Sequence, residues 1–328
     1  MKHKTIDDIA REAGVSKATV SRVISHPELV SQKTQDKVRA VMDKHSYMPS
    51  LLAQGLAGTP TKTIGVIIDE LSNFFFIEIS EGIDRVLSAS GYSMLLSSSR
   101  WVEDREVQLV RSLISSRVEG VLIAPINEDG VSMQLLRDAG IPYVVINSVP
   151  SDPTASYVCC DNLEGGRLAA QFLNAYATEQ IIVITGFSHQ SIEHRLTGFY
   201  GSIDHPEAVR RYEHVKTQEE GYALVPRLLA EDRIDQVKTT LFITNDNVAI
   251  GIINRLVESG ISIPDQVSIL GYDNIRISSL CRVPLTTISQ SISETGQLAA
   301  QSLIKLLNQE EQTLQQRIRP TLIQREST

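Results

Sequence analysis

Short apolar runs alternate with longer amphipathic stretches from Lys62 to the end of the chain. The runs TIGVIID, YSMLLSS, GVLIAPI and YVVINS are typical of buried parallel strands, and stretches such as IEISEGIDRVLSAS between them are typical of helices. The alternation then repeats with QIIVITG, YEHVK, TTLFITND and VSILGYD. Two successive α/β halves of similar size predict two lobes with a cleft between them, a common place for a small ligand.

The first 48 residues instead predict three short helices. Thr5 can cap the first helix, TIDDIAREA, which ends at Gly14, and Ser16 and Ser31 can cap the second and third. This spacing fits a helix-turn-helix, in which the second helix enters the major groove of DNA. The segment LLAQGLAG that follows Pro49 contains helix formers but is too short to hold a helix by itself in water, so we expect a conditional helix there.

The stretch GVSKATVSRV predicts a second helix with one packed and one free face. Val20 and Val23 would pack on the first helix, which leaves a free face made of Lys17, Ala18, Ser21 and Arg22. A lysine or arginine can donate to guanine, and a small apolar side chain can contact a thymine methyl group. The alternative is an ordinary helical hairpin with a solvated basic surface.

The charge distribution favours DNA over that alternative. The chain of 328 residues has a net charge of −8, which would argue against a nucleic-acid partner. However, residues 1–62 contain ten Lys and Arg against six Asp and Glu, so this part carries +4 and the remaining 266 residues carry −12. The positive charge is thus concentrated where the helix-turn-helix is predicted.

The motifs resemble those of one family. AGVSKATVSRV, VSQKT, YMP and AQGLAG resemble the headpiece of the LacI family of bacterial transcription regulators in order and spacing. The similarity continues through TIGVIID, HRLTGF, TNDNVAIG and SILGYDN. It implies an all-α helix-turn-helix headpiece at 1–48, a hinge helix and linker at 49–61, and a two-lobed α/β effector-binding and dimerisation domain of the type I periplasmic-binding-protein kind at 62–328. The chain would cross between lobes near 159–162, 286–292 and 318–322.

The resemblance also implies the residues that contact DNA. The base-reading residues are Lys17, Ala18 and Arg22. The contacts on the phosphate side are Thr5, Ser16, Ser21, Ser31, Thr34 and Tyr47. In the family, the hinge helix folds only on the operator, where one leucine from each subunit wedges into the minor groove. Here that leucine is Leu56.

The same resemblance implies a ligand site at the strand ends. Its members are Phe75, Phe76, Asn147, Arg195, Asn245 and Asp273, with aromatic faces for a sugar or base and polar groups for hydroxyls. Trp101 and Arg100 follow the second strand, and Lys216 stands where the family often has an aromatic or apolar residue. Lys216 and Arg100 beside Arg195 would favour an anionic ligand such as a sugar acid. A neutral sugar is the default, Lys216 in solvent is the competing interpretation, and a nucleobase is the alternative effector.

Other classes of protein find little support in the sequence. There is no GxGxxG after the first strand, no GxxxxGK[ST] and no GxSxG, so we expect neither an enzyme nor a cofactor. His189 and His194 do not have the spacing of an HExxH metal site. With three cysteines, no signal peptide and no long apolar run, we expect a reducing cytoplasmic location and no membrane contact. The expected partners are palindromic double-stranded DNA, a small effector and a second copy in a homodimer; a free-standing solute-binding protein of the same fold is the alternative.

Overall fold

The computed structural model describes residues 4–47, 60–176 and 178–328, and begins with three helices, α1 (Ile6–Ala13), α2 (Lys17–Ser25) and α3 (Gln32–Lys44). Thr5 forms a capping box at the start of α1, and Gly14 ends this helix with a φ of 61°, in the left-handed region that glycine tolerates. The helices share a small core made of Ile9, Ala10, Ala13, Val20, Val23 and Val38. The segment 48–59, which includes Leu56 and most of the predicted hinge, lies outside the described residues.

The first lobe is built on a parallel sheet of six strands in the order β11-β5-β4-β3-β1-β2. The strands are β1 (Thr63–Ile68), β2 (Ser93–Ser98), β3 (Gly120–Ile123), β4 (Tyr143–Ile146), β5 (Ser156–Cys160) and β11 (Gln315–Ile318). Four helices belong to this lobe: α4 (Phe74–Ala89), α5 (Glu103–Ser115), α6 (Val131–Asp138) and α11 (Ile292–Leu307). Helices cover both faces of such a sheet, which explains why its strands are nearly continuous apolar runs.

The second lobe repeats this design with the strand order β12-β10-β9-β8-β6-β7, in which only β12 is antiparallel. Its strands are β6 (Gln180–Ile184), β7 (Arg210–Tyr212), β8 (Thr239–Ile243), β9 (Val267–Asp273), β10 (Thr286–Ser289) and β12 (Thr321–Ile323). Its helices are α7 (Asn162–Asn174), α8 (Gln190–Tyr200), α9 (Gln218–Arg227) and α10 (Asp246–Glu258). The helix-turn-helix followed by two α/β lobes confirms the predicted fold class.

The chain passes between the lobes three times, from β5 to α7, from β10 to α11 and from β11 to β12. After the second passage, α11 packs against α4 in the first lobe. Each lobe therefore combines segments that are distant in sequence. The three short connections lie side by side, and the carboxyl ends of strands from both sheets meet at one cleft.

The prediction of one strand is wrong over most of its length. The run YEHVK was predicted as a strand, but β7 ends at Tyr212, the first residue of that run. His214 has a φ of 64°, a left-handed conformation that a strand cannot contain. The chain therefore leaves the sheet at this point, and Lys216 belongs to a loop at the cleft.

Candidate functional site

The second helix of the headpiece presents the face that the sequence predicted. The hydroxyl of Ser16 caps α2 by accepting a hydrogen bond from the backbone N–H of Thr19 at 3.0 Å. Val20 and Val23 are buried against the other helices, whereas Lys17, Ala18 and Arg22 are exposed and Ser21 is half-buried. A rigid helix thus carries two cations and a small apolar side chain on one accessible side.

Lys17 is already paired within the headpiece. Its Nζ lies 3.2 Å from Oδ2 of Asp7, and both side chains are more than half exposed. Ion pairs this exposed contribute little to stability, so Lys17 can leave Asp7 at small cost. Arg22 has no ion pair with any residue in the described ranges.

The predicted phosphate-side residues surround this face and are partly used within the headpiece. Thr5 donates its hydroxyl to Asp8 at 2.9 Å, and the hydroxyls of Ser31 and Thr34 lie 3.0 Å apart. Ser31 was predicted to cap α3, but its side chain makes no capping hydrogen bond to the backbone. Tyr47 is half-buried after α3, with its N–H donating to Met42.

The second candidate site is a cleft of about 550 Å³, a volume that includes open solvent, between the two lobes. Eight of the nine predicted effector residues line it: Phe75, Phe76, Trp101, Asn147, Arg195, Lys216, Asn245 and Asp273. Arg100, the ninth, is exposed and is not among the lining residues, so it does not add positive charge to the cleft wall.

Arg195 is the most constrained cation of the cleft, with only 3% of its surface exposed. Its Nε donates to Oδ1 of Asn162 at 2.8 Å and its Nη1 donates to the carbonyl of Thr244 at 2.7 Å. The guanidinium carbon lies 3.9 Å from the ring centroid of Tyr272, and Nη1 lies 3.6 Å from Oδ1 of Asp273. These partners fix the guanidinium but occupy only two of its five N–H donors with hydrogen bonds.

Two glycines make this placement of Arg195 possible. Helices α7 and α8 cross so closely that a Cβ at Gly166 would collide with the carbonyl oxygen of Arg195. On the other helix, a Cβ at Gly198 would collide with the carbonyl oxygen of Leu163. The close approach brings Asn162 at the start of α7 within hydrogen-bond distance of Arg195 on α8.

Asp273 ends β9 opposite Arg195 and is 2% exposed. It accepts hydrogen bonds from Asn245 Nδ2 at 3.1 Å and from Gln290 Nε2 at 2.5 Å. Burial raises the pKa of Asp273 to about 8, although the neighbouring Arg195 opposes this rise. The pair is therefore a buried donor and acceptor that share one side of the cleft, the arrangement that binds vicinal hydroxyls or an acid group.

Asn245 lines the cleft and also caps α10, whereas Asp246 lies in the interior of the lobe. The side chain of Asn245 accepts from the N–H of Val248 at 3.2 Å and caps α10, although Asp246 is also of a residue type that caps helices. Asp246 is fully buried and accepts from the N–H of Asn274 and from the hydroxyls of Ser278 and Thr287. It thereby anchors the loop after β9 and, with it, Asp273.

Aromatic side chains form the other walls. Phe75 and Phe76 open α4, are 6% and 3% exposed, and meet edge to face with ring centroids 5.1 Å apart. Trp101 follows β2 and faces Phe187, which follows β6 in the second lobe. The cleft thus combines apolar faces with a few polar groups, as small-molecule sites do.

The sequence interpretation missed eight lining residues of the cleft, among them Phe187, His189 and Ser191. All three follow β6, so their position after a predicted strand was the available signal. His189 is buried, and its Nδ1 lies 2.8 Å from the hydroxyl of Ser191. Burial, with a smaller contribution from Arg195, lowers the pKa of His189 to about 4. A neutral imidazole therefore lines the cleft at pH 7.

This buried imidazole predicts a pH dependence of stability. The unfolded chain protonates His189 near pH 6.5 and the folded chain near pH 4, so stability is lost as pH falls through this window. We expect His189 to cost the ligand-free protein about 3 kcal/mol of unfolding free energy across it. Urea unfolding at several pH values should show this loss in the wild type and not in His189→Gln. His194→Gln, exposed on the same helix, is the control; parallel profiles for all three proteins would contradict the prediction.

The remaining titratable groups do not add a metal or thiol site. No group of His, Cys, Asp and Glu in the described ranges is arranged to hold a metal ion. Burial raises the pKa of Cys160 to about 12 and that of Cys159 to about 11, so both are unreactive thiols at pH 7. Among the residues that the structure covers, no helix is long and apolar enough to cross a membrane.

Comparison with known proteins matches both parts of this description. The family "Bacterial regulatory proteins, lacI family" matches residues 5–50, and "Periplasmic binding protein-like domain" matches residues 169–328. The HTH-type transcriptional repressor PurR of Vibrio parahaemolyticus is 32% identical over 313 residues, 94% of this chain and 93% of that protein.

Two solved structures extend the likeness to the whole architecture. The lac repressor dimer bound to operator and the anti-inducer ONPF superposes with a TM-score of 0.81 at 28% identity, over 99% of each chain. A ribose-bound LacI family regulator from Enterococcus faecalis V583 gives a TM-score of 0.73 at 32% identity, over 81% of this chain and 98% of that chain. The chain therefore belongs to the lacI family of bacterial transcription regulators.

Proposed function

We propose that the protein is a repressor that binds a palindromic operator as a homodimer, and whose operator affinity changes when a small molecule occupies the interlobe cleft. The observation that carries the proposal is one chain with both an exposed basic face on α2 and a cleft containing the buried pair Arg195 and Asp273. The likeness to the lac repressor dimer on its operator supports the DNA half of the proposal.

One headpiece carries a single recognition helix, whereas a palindromic operator has two half-sites. Two recognition helices placed one DNA turn apart read a two-fold symmetric site, and each subunit contributes one half of the contacts. A ligand that prefers one arrangement of the lobes shifts the hinge segments and so changes DNA affinity by linkage. The proposed domains are the headpiece 1–48, the hinge and linker 49–61 and the ligand-binding domain 62–328, acting in the cytoplasm and without catalysis.

We propose a sugar or sugar acid as the effector. Phe75 and Phe76 offer apolar faces for the C–H face of a sugar ring, while Arg195, Asn147 and Asp273 offer donors and acceptors for hydroxyls. Lys216 is exposed but lines the cleft, so it can pair with an acid group at the mouth without being buried. The ribose-bound relative supports the sugar class. The abundance of aromatic rings also makes a nucleobase the second candidate.

A thermal-shift screen tests the ligand class. The panel is D-ribose, D-glucose, D-gluconate, D-glucose 6-phosphate, hypoxanthine and guanine. A ligand at 100 times its Kd stabilises the folded state by about 2.7 kcal/mol and raises the melting temperature by several degrees. We expect a shift with a sugar or sugar acid in the wild type and not in Arg195→Ala. If only hypoxanthine or guanine raises the melting temperature, the ligand class is a nucleobase and not a sugar. If no compound of the panel raises it, the proposed sugar class is contradicted.

Leu56 tests the proposed hinge wedge. A leucine inserted into a minor-groove step holds kinked operator DNA, and a bend of this kind contributes only at the specific site. We expect Leu56→Ala to weaken binding to the selected operator about ten-fold or more, with little change for random-sequence DNA. Leu51→Ala in the same segment is the matched control. If gel shifts show equal losses of affinity for operator and random-sequence DNA, Leu56 does not act as the wedge.

A further inference from the structure

Two aromatic side chains from opposite lobes stack across the mouth of the cleft. The rings of Trp101 and Phe187 have centroids 4.0 Å apart and planes inclined by only 14°. Nζ of Lys216 lies 4.7 Å from the centroid of the Phe187 ring, and the ring of His189 meets Trp101 edge to face at 6.0 Å. The first lobe supplies only Trp101, so this one ring joins it to three side chains of the second lobe.

The backbone holds Trp101 in a conformation that favours this contact. Arg100 and Trp101 have φ values of 54° and 58°, which place two large residues in the left-handed region. Such residues persist there only when their surroundings hold them. The N–H of Ser99 donates to Ile68 at 2.9 Å and that of Arg100 donates to Asp69 at 2.8 Å, which fixes this turn to the end of β1.

Other contacts between the lobes show that the cleft is closed in this structure. Asn247 of the second lobe donates to Oδ1 of Asn73 in the first lobe at 2.6 Å. Arg276 of the second lobe donates to Oε2 of Glu81 on α4 at 2.7 Å. The Arg276 pair is largely exposed and screened by solvent, so it holds the lobes weakly. The aromatic stack is an interlobe contact between two residues that both line the cleft.

We propose that Trp101 and Phe187 form an aromatic latch that holds the lobes closed in the ligand-free protein and must part for a molecule to enter the cleft. The proposal rests on the proposed function only in treating the cleft as the ligand site. A stacked aromatic pair shifts an equilibrium by roughly two- to twelve-fold beyond the area that it buries. Loss of the Phe187 ring is therefore expected to raise the open population by that factor.

Trp101 makes the latch directly measurable because it is the only tryptophan in the chain. Acrylamide is a small polar quencher, and the Phe187 ring covers one face of the half-exposed indole against it. In the full-length protein we expect a quenching constant several times below that of N-acetyltryptophanamide. Phe187→Leu keeps an apolar side chain but removes the ring, and we expect it to raise the quenching constant at least two-fold.

Two control variants distinguish the loss of the latch from a general loss of packing. Phe187→Tyr keeps the ring and is expected to match the wild type. Phe172→Leu removes a ring that stacks on Tyr176 at 5.9 Å, outside the cleft, and is expected to leave quenching unchanged. Equal quenching constants in the wild type and Phe187→Leu, with both folded by circular dichroism, would overturn the latch. The thermal-shift panel tests a different claim. If no compound of the panel raises the melting temperature, the proposed ligand class is refuted, whereas the quenching constants alone decide whether the latch exists.

Discussion

Replacing Arg195 with alanine is expected to reduce affinity for the effector by about 100-fold or more while operator binding stays close to that of the wild type. Three N–H donors of the guanidinium are not used in hydrogen bonds to described residues, and both Arg195 and Asp273 line the cleft. Charge-assisted hydrogen bonds contribute about 1.5–3 kcal/mol each, so the loss of two to a ligand gives this magnitude. The headpiece has its own core, which Arg195 does not touch.

The same replacement also removes internal contacts. Asn162 and the carbonyl of Thr244 lose their donor, and Asp273 loses the nearest positive charge. Leaving a buried polar group without its hydrogen-bond partner costs about 1–3 kcal/mol. We therefore expect a lower melting temperature as well as lost binding. Arg195→Lys restores the charge without the planar fork, so it should recover stability more than affinity.

Isothermal titration with the compound found in the thermal-shift screen measures the effect, and gel shifts on a selected operator measure DNA binding. Arg167→Ala is the matched control, because Arg167 lies on the neighbouring helix α7, is half exposed and forms an ion pair with Glu164. An unchanged titration curve in Arg195→Ala would remove this residue from the ligand site. Equal loss of operator binding in ligand-free protein would show that the headpiece depends on the second lobe.

The architecture was predictable because its signals are local. Gly14 between two short amphipathic helices is enough to indicate the helix-turn-helix, and continuous apolar runs separated by helices indicate parallel sheets covered on both faces. Asn147, Asn245 and Asp273 could be placed at the cleft since each one ends or follows a predicted strand. Parallel strands bring such positions to one edge whatever the details of packing.

The finer geometry depends on contacts between distant parts of the chain, so local sequence patterns could not predict it. Arg100 and Trp101 are adjacent, yet only Trp101 lines the cleft, since two successive left-handed residues turn the chain there. Nothing in the local pattern distinguishes Asn245 from Asp246 as the cap of α10. That choice depends on Thr287, 41 positions away in sequence, and on Ser278, which hold Asp246 in the interior.

On the DNA side, we expect Arg22→Ala to lose about 10- to 100-fold in operator affinity and to lose base preference at one position of each half-site. A bidentate arginine–guanine contact contributes about 1–3 kcal/mol of discrimination. Arg22 is exposed on α2 and free of ion pairs in the described ranges, so it needs no rearrangement to reach a base. Lys17 must first leave Asp7, and its replacement is expected to have a smaller effect.

Selection from random DNA duplexes, performed in parallel with the wild type and Arg22→Ala, distinguishes base reading from simple attraction to phosphates. A phosphate contact weakens all sequences nearly uniformly and lowers the salt dependence, whereas a base contact changes which sequences are recovered. Arg39→Ala, an exposed arginine on α3, controls for the loss of one positive charge. If Arg22→Ala recovers the wild-type operator with only a uniform loss of affinity, Arg22 contacts the backbone, and specificity must come from Lys17, Ala18 and the hinge.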